Sequence, residues 1–190
     1  MAAPHVTGAI ALLMSGRPYL IGQPATVESL ITRSALPRTT ATACGGVAGT
    51  AVPNNTWGWG RLDAKAAYDS APPATLDIDA SVSATKYDAL TDGVLVVRYL
   101  SGLTGASLTT GALGPTASRR SGTGIKTYLD IVRGGLDIDG NKNADAMTDG
   151  LLILRYLFGY RGSSLVQGAL GPGAARSTGE IENYLQSLMP

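Results

Sequence analysis

The sequence predicts a mainly α protein in two parts. Three observations carry this: apolar residues recur at helical spacing near the start, Pro72-Pro73 interrupts the chain, and a long internal repeat begins at Leu76. Composition sets the frame. At 190 residues, 44% of them apolar and 15% charged, the chain is long enough for one ordinary domain or two small ones. A net charge of +1, with no basic cluster beyond Arg119-Arg120, argues against a nucleic-acid partner. No stretch has the length and polarity of a membrane span. The single cysteine, Cys44, is either a free thiol or half of a bridge whose partner lies outside these residues.

The opening stretch MAAPHVTGAIALLMSG has about the length of a signal-peptide core, but its first positive charge, Arg17, follows the apolar run instead of preceding it. A folded helix fits better. Val6, Ile10, Leu13 and Met14 recur at helical spacing, and Gly8, Ala9 and Ala11 are small enough for close packing, so the helix is expected to be buried on most sides. A second helix follows Pro24, with Val27, Leu30 and Ile31 as its stripe, and Pro37 stops it. Residues 38–55 are polar and aperiodic, as in a surface loop. Turns at Gly58 and Gly60 then lead to a short helix from Asp63 to Ala71.

The run MAAPHVTGAIALL resembles the stretch that follows the nucleophile in subtilisin-like serine proteases, through Met1, Ala2, Pro4, His5, Val6 and Gly8. WGWGRLDAKAA resembles the segment that closes their catalytic domain. The resemblance implies that residues 1–73 correspond to the C-terminal helices of an α/β catalytic domain. It also implies a secreted parent that hydrolyses peptide bonds by serine acyl transfer, whose substrates are peptides or proteins. In family order the nucleophilic Ser immediately precedes the position of Met1, and the Asp, the base His and the oxyanion Asn lie further upstream. No catalytic residue is therefore expected here, and His5 matches a structural histidine. The chain as given is expected to be inactive, and its partner would be the N-terminal part of the protease domain. Whether Met1 is a start site or an internal residue stays open.

From Leu76 the repeat sets LDIDASVSATKYDALTDGVLVVRYLSGL beside LDIDGNKNADAMTDGLLILRYLFGY, giving units 76–135 and 136–190 at a period of roughly 57 to 60 residues. Each unit reads as Asp-rich loop, helix, Gly/Pro connector and second helix. The stripes are Leu95, Val96 and Tyr99, then Leu152, Ile153, Tyr156 and Leu157. Gly102 and Gly159 are C-cap positions, and Ser177 with Glu180 forms a capping box.

In the second unit, Asp137, Asp139, Asn141 and Asp145 alternate, and their hard oxygen donors suit Ca²⁺. Asn143 would add a backbone carbonyl, and Asp149 falls at the thirteenth place counted from Asp137, one beyond the usual end of an EF-hand loop. Lys142 stands where that loop prefers Gly. In the first unit Asp77, Asp79 and Ser81 begin the loop, and three extra residues delay Asp88 and Asp92. Asp92 and Asp149 also suit helix caps without a metal. Loop plus helix resembles the dockerin repeat, which implies calcium and a cohesin-like partner. A non-catalytic calcium-binding or docking module is the alternative reading of the whole chain.

Overall fold

The computed structural model describes residues 2–82 and 86–190. It is mainly α, and among the described residues the only β pairing is three isolated bridges. The chain divides into two compact units, Met1–Pro72 and Pro73–Pro190.

In the first unit, α1 (Ala2–Gly16), α2 (Pro24–Ser34) and α3 (Ala64–Ser70) pack so that α3 touches both others. Pro24 opens α2 at a position where a missing N–H costs nothing, and the Asp63 carboxylate caps α3 by accepting from the Ala66 N–H at 2.9 Å. A 3₁₀ turn, Pro18–Leu20, buries Tyr19 and Leu20. Beside it the Arg17 guanidinium lies 4.0 Å from the centre of the Tyr68 ring and donates to the Ala71 carbonyl. Asn54 organises the long loop. It is buried, donates to the Arg38 and Ala51 carbonyls, and accepts from the Thr56 and Trp57 N–H groups.

One expectation fails here. On α1 only Ala9 and Leu13 are buried; Val6 is exposed and Leu12 is 71% exposed. Their four-residue spacing marks the face that α3 and the 3₁₀ turn cover, while Val6, Ile10 and Met14 line an open groove beside α2 and stay partly exposed.

In the second unit each repeat folds alike. A buried loop segment leads through a π-helical turn (Ala89–Gly93, Ala146–Gly150) into α4 (Val94–Leu100) or α7 (Leu151–Leu157). The connectors hold the short α5 (Gly105–Thr109) and α8 (Ser163–Val166), and α6 (Gly122–Val132) and α9 (Thr178–Ser187) close the units. Equivalent apolar positions form the core: Leu95 with Leu152, Val96 with Ile153, Leu108 with Leu165, Ile125 with Ile181, all fully buried. Burying each such side chain stabilises the fold by about 1.5–3 kcal/mol. The capping box on α9 is present, with Ser177 and Glu180 bonding reciprocally.

The copies meet reciprocally, α4 against the π turn of the second repeat and α7 against that of the first. Glycine permits the approach. A Cβ on Gly93 would lie 2.8 Å from Leu154 Cδ1, and one on Gly150 would lie 3.3 Å from Val97 Cγ2. The Leu76 N–H donates to the Leu188 carbonyl at 2.9 Å, tying the start of the first repeat to the end of the last helix.

Candidate functional site

The second loop brings together three carboxylates from a span of thirteen residues. One oxygen from each of Asp137, Asp139 and Asp149 lies within 4.8 Å of the others, and Asp139 and Asp149 are fully buried. Backbone donors fix each one. Asp137 accepts from the Gly140 and Lys142 N–H groups, Asp139 from Asn141, and Asp149 from Ile138, Asp139 and Asp145. Asp149 stands one residue later than an EF-hand loop would place it, and the π turn absorbs that residue. The Gly150 N–H reaches the Asp145 carbonyl, five positions back, at 3.0 Å. Asn141 is half-buried and accepts from the Asn143 N–H. Asp145 is exposed and does not join the converging carboxylates.

The first loop repeats this geometry despite its insertion. Oxygens of Asp77, Asp79 and Asp92 lie within 4.8 Å of one another, and Asp92 accepts from the Ile78, Asp79 and Asp88 N–H groups. Its π turn is closed by the Gly93 N–H on the Asp88 carbonyl at 3.2 Å. Ser81, buried where the second loop has Asn141, donates its hydroxyl to Asp79 at 2.5 Å. Asp88 caps the following turn through the Leu90 and Thr91 N–H groups and stays outside the trio. Ser83, Ala84 and Thr85, within the longer part of this loop, lie outside the described residues.

Three further groups complete each site. The Gly114 N–H donates to Asp79 at 2.6 Å, and the Gly171 N–H donates to Asp139 at 2.7 Å, so each GALGP connector closes on a buried aspartate. A Cβ on Gly171 would collide with Asn141 and lie 3.1 Å from Asp139 Oδ2. Arg119 and Arg176 donate to the Ile78 and Ile138 carbonyls, and each stacks on a tyrosine of the closing helix, 3.9 Å from the Tyr128 centroid and 4.1 Å from that of Tyr184. Charge-based reading overlooks these residues because two of them act through backbone N–H. Their recurrence in both copies is the signal that marks them.

The electrostatics follow from burial. Desolvation pushes Asp92 up to about 7, against the backbone donors that favour its charge, and Asp79 beside it adds to the rise. Burial likewise raises Asp149 and Asp77. Three carboxylates in so small a volume repel unless a cation or a proton intervenes. Their oxygens, with the side-chain oxygen of Asn141 or Ser81 two residues beyond the second aspartate, form a hard donor set that fits Ca²⁺.

The first unit presents no such cluster among its described residues. Ala2 opens α1, Pro4 and His5 lie exposed on its first turns, and Met1 lies outside the described residues. Residues 1–60 match the model of the subtilase family. This subtilase match covers α1, α2 and the loop that follows, and ends before α3. The likeness to these serine proteases therefore concerns the first unit, and the two Asp-rich loops lie outside it. No curated protein and no solved structure matches the chain. Among the described residues no helix is long and apolar enough to cross a membrane.

Proposed function

We propose that the chain is the C-terminal part of a secreted subtilisin-like serine endopeptidase, and that its second unit is a dockerin-like tandem repeat stabilised by calcium. The subtilase match over residues 1–60 supports the first half of this reading. For the second, the carrying observation is that two loops of different length bring the same three aspartates to within 4.8 Å. Asp137, Asp139 and Asp149 would hold one ion with help from Asn141, and Asp77, Asp79 and Asp92 a second with Ser81. A bound Ca²⁺ would supply the positive charge that offsets three carboxylates. Extracellular calcium is abundant enough to fill modest sites, which accords with secretion. The serine, histidine and aspartate of peptide hydrolysis would come from the rest of the protease domain, and peptides would be the substrates of the whole enzyme.

One observation favours a second reading, in which the repeats are a non-catalytic docking module for a cohesin-like partner and the aspartates staple their loops without metal. In the second loop all three aspartates already accept hydrogen bonds from backbone N–H groups. Such bonds occupy one lone pair of an oxygen and leave the other for an ion, so both readings accommodate them.

Melting the repeat unit with calcium and with chelator separates the readings. Calcium at about a hundred times its dissociation constant should stabilise the unit by about 2.7 kcal/mol for each loop it fills, whereas stapled loops would melt identically in both conditions. A fluorophosphonate probe should leave the 190-residue chain unlabelled, and labelling would refute the assignment of its catalytic groups to the rest of the domain.

A further inference from the structure

A groove of about 420 Å³ runs beside the end of α7 and is lined by Leu154, Arg155, Phe158, Tyr160, Ser164 and Gln167. Phe158 is 53% exposed and Tyr160 is 50% exposed. Leaving half of each ring in water forgoes apolar burial that aromatic side chains normally supply.

The fold does not require these rings. In the first repeat Ser101 and Leu103 occupy their positions, while the backbone is the same. Gly102 and Gly159 both adopt left-handed φ values, +84° and +90°, and the Leu103 and Tyr160 N–H groups reach the Arg98 and Arg155 carbonyls, each at 3.0 Å. The loops, glycines, arginines and core are duplicated between the repeats, and the aromatic pair belongs to one of them.

The polar groups narrow what the groove can hold. No acidic residue lines it, and its one charge is engaged within the fold, because Arg155 donates to the Leu165 and Gln167 carbonyls at 2.9 and 2.8 Å. Among the described residues, no partner is found for the Tyr160 hydroxyl or the Gln167 carboxamide. Ser164 donates to the Arg161 carbonyl and keeps its acceptor lone pairs. A cationic ligand would meet like charge here, and an anionic one would find the Arg155 Nη1 hydrogens already committed to two carbonyls. A wholly apolar one would strand Tyr160 and Gln167 without hydrogen bonds.

We propose that this groove binds a neutral oligosaccharide. The C–H face of a sugar ring stacks on Phe158 and Tyr160, and its hydroxyls bond to the Tyr160 hydroxyl, the Gln167 carboxamide and the Ser164 oxygen. The second repeat thereby tethers the protein to an uncharged glycan, independently of whether the loops hold calcium.

Affinity electrophoresis of the full chain tests this, in gels containing soluble β-glucan, galactomannan or starch. At least one polysaccharide should retard the protein. Phe158→Ala and Tyr160→Ala should each weaken that retardation by about tenfold or more, the loss expected from removing one stacked ring. Both variants should melt as the parent does, and Ser101→Ala should leave retardation unchanged. Free migration in all three gels would overturn the proposal, as would retardation that both aromatic variants retain. Binding of a proline-rich peptide that is lost in the same variants, with free migration in the gels, would overturn it in favour of peptide docking.

Discussion

Asp92 follows Asp77 by fifteen residues, whereas Asp149 follows Asp137 by twelve, and yet both loops deliver their third carboxylate to the same place. What the loops share is at their edges. Each starts with a Leu-Asp-Ile-Asp segment that is buried except for its half-buried first aspartate, ends in a π turn, and receives a glycine N–H from its connector. Carboxylate convergence is therefore set by the fixed flanks and the connector, and loop length is free to vary between them. The loops differ in the middle. The second loop offers the Asn141 carboxamide oxygen, which accepts the Asn143 N–H with one lone pair and keeps the other; the first offers the Ser81 hydroxyl, which donates to Asp79 and is the weaker donor to a cation. The second loop should accordingly be the tighter site.

The largest effect should come from breaking the tighter site. Asp139→Ala removes a ligand and strands the Gly171 N–H, so the second unit should lose the calcium gain of about 2.7 kcal/mol and a further 1–3 kcal/mol for the unpaired donor. Asp79→Ala should cost less, because its loop would hold an ion less firmly. Chemical denaturation with and without calcium measures both. Equal losses would show that Asn141 and Ser81 are interchangeable.

Without calcium the comparison should turn on pH. The folded unit keeps Asp92 protonated up to about 7, while the unfolded chain releases that proton near 3.8. The folded state then binds the extra proton between these values, so stability should be greatest below about pH 4 and fall by a few kcal/mol as pH rises to about 7. Asp149 shifts in the same direction, so the second loop contributes as well. Saturating calcium should flatten the profile, and chelated protein whose melting temperature rises across that range would contradict the sign.

Gly171→Ala places a methyl group against Asn141 and Asp139, and should cost about 1–3 kcal/mol and weaken only the second site. Lys142→Gly should have the smallest effect and the opposite sign. Lys142 holds a left-handed φ of +73°, a conformation that disfavours any side chain, so glycine should stabilise the loop by about 1 kcal/mol while removing a positive charge near the ion. An unchanged melting temperature and calcium affinity would show that this strain is absorbed elsewhere.

Much of this was legible in the sequence, for reasons that differ along the chain. Helix periodicity located α1, α2, α4 and α7, and local cap chemistry gave Ser177 its role, whereas the cap that Asp63 provides for α3 came from the structure. Asp137 and Asp139 could be read as ligands from alternation alone. Three features were hidden. The π turn that brings Asp149 into place depends on a backbone bond from Gly150 to Asp145 that no side chain announces. The Gly171 contact spans thirty-two residues and uses only main-chain atoms on one side. The exposure of α1 depends on which elements surround it, and the apolar content of Val6 and Leu12 is silent on that.

Calorimetric titration of the chelator-stripped chain with calcium tests the central claim most directly. Two binding events are expected, the tighter one lost in Asp139→Ala and the weaker one lost in Asp79→Ala. Absence of any calcium heat, with the aspartates still holding their loops through backbone hydrogen bonds, would contradict it.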